Sequence, residues 1–206
     1  INYSNDPDPA KQSQLIDGAV ADKVDGIVVS MANPDGLESS IKKAVAAGVP
    51  VVSINSGIDR WQEFGAITHI GQSESIAGEA VGERLKEEGL SKGICVVQEA
   101  GNVGLEERCK AAAETFGGSM SNIQVDGTND AEVKATIKSK LQSDKSIDTV
   151  LTLGGQYAID AVGAVDESGS KASVATFDLS EDVVKNIESG KILFAVDQQP
   201  YVQGFL

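Results

Sequence analysis

The feature that most constrains this chain is an alternation of short apolar runs with longer amphipathic segments. The runs are Gly26–Ser30, Val49–Ile54, Ile94–Val97, Thr149–Leu153, Ser173–Phe177 and Ile192–Val196. Between them apolar residues recur at helical spacing, as in Ile76, Ala80, Leu85 and in Val133, Ile137, Leu141. Asp8-Pro9, Asn33-Pro34 and Ser180-Glu181 each offer a cap acceptor followed by Pro or an acidic first turn. Gly48 and Gly190 fall where a helix should stop. A strand that is apolar along its whole length must be covered on both faces. Strands separated by helices pair in parallel through right-handed crossovers. The predicted fold class is therefore α/β, with doubly wound parallel sheets. One segment breaks the rhythm: after Val49–Ile54 the chain runs SGIDRWQEFG and then gives a second short strand, AITHIG, without a full helix between. A domain crossing is expected near Gln72.

With 206 residues the chain is long enough for one large or two small domains. No apolar run approaches the ~20 residues of a membrane helix. No signal peptide or initiator Met is present and Ile1 reads as the start of a strand, so the chain is expected to be truncated at both ends. The net charge of −14 repels phosphate backbones and anionic lipid. Nucleic-acid binding is not expected.

Polar residues cluster where the strands end: Asn55 and Ser56, Gln72 and Ser73, Glu99 and Asn102, Gly154 to Gln156, Asp178, then Asp197 and Gln198. In open α/β sheets ligands sit outside the carboxyl ends of the strands. Planar amides and carboxylates suit a buried polyol, because each hydroxyl left unpaired costs about 1–3 kcal/mol. Asn, Ser and Asp are also ordinary turn and cap residues. Ser73 and Ser180 are read first as caps, and Asn55, Asp178 and Gln198 as ligand contacts.

Catalytic machinery is not legible. The glycines of EAGNVG and TLGGQ do not match a dinucleotide fingerprint, and there is no phosphate-loop lysine motif or GxSxG elbow. His69 is read as structural, and Glu106-Glu107-Arg108 as a helix-start charge cluster, or as a source of one side chain turned to a ligand. No metal or cofactor is expected. Cys95, in an apolar strand, and Cys109, early in the next helix, are close enough in such a unit for a disulfide; two reduced core thiols is the competing reading.

The segments NDPDPAKQSQLIDGAVADKVDGIVVSMANPDGL, GVPVVSINSG, HIGQSESIAGEAVGERL, VLTLGGQYAIDAV, ATFDLSEDVVKNIESGK and FAVDQQPYVQG, in this order and spacing, resemble the type I periplasmic sugar-binding proteins, the ribose-binding group of ABC-transporter substrate-binding proteins. The resemblance implies two α/β domains joined by a three-strand hinge, residues 1–72 plus 199–206 and residues 73–198. It also implies another strand-helix unit before Ile1. Asn55 stands where many relatives have Asp, and Ser56 where they often have Arg. Gln72 and Ser73 match the first crossing. Glu106 replaces a ligand-gripping Arg, Arg108 matches a nearby arginine, and Gly154-Gly155 replace an Asn-Asp pair. Asp178 and Gln198 match sugar-contacting positions.

The expected function is non-enzymatic binding of a monosaccharide or polyol by hinge closure, with Asn55, Ser56, Gln72, Ser73, Asn102, Glu106, Gln156, Asp178 and Gln198 in contact with it. The implied partner is a membrane ABC permease. The implied setting is periplasmic or extracellular, with a lipid anchor outside the membrane as one form of it, and the protein is expected to be a monomer. The competing expectation is the effector-binding core of a LacI-type repressor, which shares the architecture.

Overall fold

The structure is a computed structural model that describes residues 8–206; the strand expected at Ile1 lies outside them. The chain forms two compact units. One comprises the residues up to Ser73 together with Gly101–Gly104 and Gln199–Leu206. The other comprises Glu74–Ala100 and Leu105–Gln198.

The first unit begins with α1 (Pro9–Ala21), β1 (Ile27–Val29), α2 (Pro34–Ala46) and β2 (Val51–Ile54). A single-turn α3 (Trp61–Phe64) and β3 (Thr68–Ile70) follow. The predicted caps form: Asp8 accepts from the Ala10 N–H at 2.9 Å and Asn33 from the Gly36 N–H at 3.1 Å, each just before a helix-starting proline. Gly48 ends α2 at φ 81°, a conformation that costs glycine little. The parallel sheet runs β1-β2-β3, with Ile27 opposite Val51 and Val52 opposite Thr68. Leu37, Ile41, Val51 and Phe64 form its core, with Trp61 packed at the edge. Each such fully buried side chain is worth roughly 1.5–3 kcal/mol. Among the described residues this sheet is covered on one face. Val28, on the other face, is 65% exposed.

The second unit runs α4 (Glu74–Glu87), β4 (Lys92–Val97), α5 (Val103–Phe116), β5 (Ser119–Gln124), α6 (Asp130–Ser143), β6 (Thr149–Thr152), α7 (Gly155–Ser168), β7 (Ser173–Phe177), α8 (Glu181–Glu188) and β8 (Ile192–Val196). The chain ends in α9 (Pro200–Phe205), which belongs to the first unit. The five parallel strands lie in the order β5-β4-β6-β7-β8, the doubly wound arrangement. Here both faces are buried. Ile94, Val96, Val150 and Val174 pack against α6, α7 and α8, while Cys95, Val97, Leu151, Ala175 and Phe177 pack against α4 and α5. β5 escapes the sequence reading because its residues, SMSNIQ, are mostly polar; it is an edge strand with little burial.

Helices α4 and α5 approach closely at two glycines. A methyl on Gly78 would lie 2.5 Å from the Arg108 carbonyl oxygen, and one on Gly82 would overlap the Ala112 carbonyl. Thr115 Oγ1 donates to the Glu79 carbonyl at 2.8 Å across the same contact. A disulfide joins Cys95 on β4 to Cys109 on α5, with Cα atoms 5.8 Å apart, resolving the alternative left open by the sequence.

Candidate functional site

In the second unit the ends of β7 and β8 meet at Asp178 and Gln198. The Asp178 N–H donates to the Val196 carbonyl at 2.9 Å, and this places the carboxylate directly after the last pleat of β7. Asp178 has φ 68°, a left-handed conformation that a non-glycine residue holds only when its surroundings fix it. Gln198 Nε2 donates to Asp178 Oδ1 at 2.6 Å, and Gln198 Oε1 accepts from Arg108 Nη2 at 2.6 Å. Arg108 comes from α5, the helix fixed by the disulfide and the glycine contacts. Its guanidinium also pairs through two nitrogens with Glu74 and lies over the Phe177 ring at 4.6 Å. Both charged side chains are 4% exposed. Two sequence-expected contacts are thus brought together, and a buried arginine stands behind them. Glu74 was not singled out from the sequence; the first-turn acid of a helix is ordinarily read as a macrodipole match.

Two other expected contacts of this unit, Glu106 and Gln156, are more exposed than that pair. Glu106 is exposed in the first turn of α5. Gln156 is exposed, and its Nε2 donates to Asp130 Oδ1 at 2.5 Å near the start of α6. Next to it, Tyr157 is half-buried and its hydroxyl donates to the Gly127 carbonyl at 3.2 Å. Burial pushes the phenol above its ordinary value, and the carboxylates of Glu99, Asp130, Asp160 and Asp126 add to the effect, so the hydroxyl keeps its proton. At the end of β4 the buried Gln98 Oε1 has no hydrogen-bond partner among the described residues. Gln98 sits beside Gly127 and Gly154, where the strand order reverses between β4 and β6. The sequence reading took Glu99 and Asn102 as the polar residues at this strand end and did not single out Gln98.

In the first unit the end of β2 carries Asn55 and Ser56. Asn55, at φ 59°, is the left-handed counterpart of Asp178. Its Oδ1 accepts from Ser56 Oγ at 3.2 Å and from Ser30 Oγ at 3.4 Å, and its N–H donates to the Ile70 carbonyl at 3.0 Å. Ser56 is buried, whereas Gln72 and Ser73 are half-buried between β3 and α4. Asn102 Oδ1 accepts from the Gly104 N–H at 3.1 Å. Its segment docks within the same unit, where the Val103 N–H donates to the Ala32 carbonyl at 3.0 Å. His69 Nδ1 is 2.8 Å from Ser53 Oγ in the neighbouring strand, the structural role expected of it.

The periplasmic binding protein domain matches residues 1–206. The chain belongs to that family. Within it, this periplasmic binding protein is 48% identical to a carbohydrate transporter from Acidothermus cellulolyticus 11B whose crystal structure holds myo-inositol. The TM-score is 0.97, over 99% of this chain and 71% of that one. It is 24% identical to the ribose import binding protein of Bacillus subtilis, over 97% of this chain and 66% of that protein. It is also 24% identical to the fructose import binding protein of Bifidobacterium longum, over 94% of this chain and 62% of that protein. The chain thus spans about two-thirds or less of the length of these two curated relatives. The relatives establish a type I periplasmic binding protein fold, as the sequence led us to expect.

Proposed function

We propose that this protein binds a cyclic polyol or monosaccharide and delivers it to an ABC importer, without chemical turnover. The observation that carries the reading is the Asp178–Gln198 pair, 2.6 Å apart at adjacent strand ends and anchored by buried Arg108. A carboxylate accepts from hydroxyls and an amide can do both, so neighbouring hydroxyls of a ring are matched in the manner a desolvated polyol requires. Support for the polyol class comes from the 48% identical transporter solved with myo-inositol, and for the transport role from the import binding proteins among its relatives.

In this reading Asn55, Ser56, Gln72 and Ser73 of the first unit join Asp178 and Gln198 in holding the ligand, with Asn102, Glu106 and Gln156 as outer contacts. The boundaries proposed for the two domains are residues 1–72 with 199–206, and residues 73–198. Ligand contacts from both would favour a closed form, since a ligand shifts such an equilibrium only through its differential affinity for the two states. The proposed partner is a membrane permease, the proposed location is outside the cytoplasmic membrane, and the working species is a monomer. Calorimetric titration of the protein, expressed from its complete reading frame, against myo-inositol, its epimers, ribose, fructose and xylose tests this. Saturable heat with one of the cyclic polyols or sugars is expected; no heat across the panel would overturn it.

A further inference from the structure

The most deeply buried ion pair among the described residues, Glu74 with Arg108, stands directly behind Asp178 and Gln198. We propose that Glu74 and Arg108 are positioning residues that fix which way the Gln198 amide faces, so that Asp178 becomes the hydroxyl-accepting end of the site. The proposal rests on the polyol-binding reading and specifies how one side of that site is tuned.

A guanidinium has donors only. Arg108 Nη2, 2.9 Å from Glu74 Oε1, also donates to Gln198 at 2.6 Å, so the oxygen of that amide must face it. The amide nitrogen is then committed to Asp178 Oδ1, again at 2.6 Å. A flipped amide would set an NH2 group against the guanidinium and an oxygen against the carboxylate, so the chemistry of the three groups fixes the orientation. Glu74 holds the guanidinium through Nε and Nη2, and the Phe177 ring at 4.6 Å fixes its plane. Glu74 heads α4 and Arg108 lies on α5, and these helices are held together where Gly78 permits close contact with the Arg108 backbone. The chain Glu74–Arg108–Gln198–Asp178 therefore has one polarity, running from a buried carboxylate to a strand-end carboxylate. A buried ion pair is weak support for stability, since an apolar pair of equal volume commonly packs as well. Orientation of the amide is a role that an apolar pair could not fill.

The test is a mutant cycle on the complete protein, with myo-inositol as the probe, read by calorimetry and by urea unfolding. The double substitution Glu74→Met with Arg108→Met removes the relay without leaving a lone buried charge. It is expected to unfold cooperatively and to bind at least about tenfold more weakly. Gln198→Ala should weaken binding similarly. Adding it to the double substitution should cost less than about twofold more, because residues acting through one another are not additive. A merely structural pair would give losses that multiply, and that result overturns the proposal, as does wild-type affinity in the double variant. Should the double variant not fold, Arg108→Lys takes its place in the same cycle under the same criterion. Failure of the unaltered protein to bind any polyol or sugar would overturn the functional reading and the relay with it; binding that is indifferent to the relay would overturn the relay alone.

Discussion

Two strand-end residues, Asn55 and Asp178, carry left-handed backbone without being glycine. Both have short side chains that tolerate this region, and in each the unusual backbone directs a hydrogen-bonding group beyond the end of a strand. Such strain persists where the surroundings over-determine it, and at Asp178 they do: the backbone is tied to Val196 and the carboxylate to Gln198. Replacing Asp178 by Asn keeps shape and removes the charge that makes this position an acceptor only. A hydrogen bond to a charged group is worth about 1.5–3 kcal/mol, so polyol affinity should fall by roughly tenfold to a hundredfold. Calorimetry checks this, and unchanged affinity would remove Asp178 from the site.

At the scale of elements, the α4–α5 contact sets where Arg108 lies. Gly82→Ala would push a methyl group into the Ala112 carbonyl and Thr115 Oγ1, so the helices must separate. A loss of about 1–3 kcal/mol in urea unfolding is expected, as for other overpacked contacts. On the opposite face of the sheet, Glu167 of α7 pairs with Lys134 and Lys138 of α6. Hydrogen bonds from Lys134 and then Lys138 hold its carboxyl down to about 2, from an ordinary value of 4.5. A depressed acid contributes stability that is complete above pH 4.5 and is lost as the pH falls through about 2. Glu167→Gln should therefore flatten the acid limb of stability in that window and leave the shape of the curve above it unchanged; thermal unfolding across pH 2–5 reads the difference. The groups are largely exposed, so the effect should shrink with added salt.

For the molecule as a whole, a net charge of −14 means self-repulsion in the compact state. Raising the salt concentration from about 0.01 to about 0.15 M shortens the screening length from roughly 30 to 8 Å, so the melting temperature should rise over that range. A fall would show that specific ion pairs outweigh the net field. The α/β class, the parallel pairing, most strand positions and three helix caps were legible in the sequence, because continuous apolar runs, helical periodicity and cap chemistry are local signals. Asp178 and Gln198 were legible as strand-end polar groups for the same reason. The edge strand β5 was not, since a strand with little burial carries no apolar signature. Nor could the sequence say that Glu74 and Arg108, 34 residues apart, share one buried pair, or which way the amide of Gln198 points. It left the pairing of Cys95 with Cys109 open. Those depend on how closely α4 and α5 pack against each other and against the sheet. Periodicity thus determined which elements form, while only tertiary packing decided which polar groups meet at their ends, because such meetings depend on distances that no local pattern encodes.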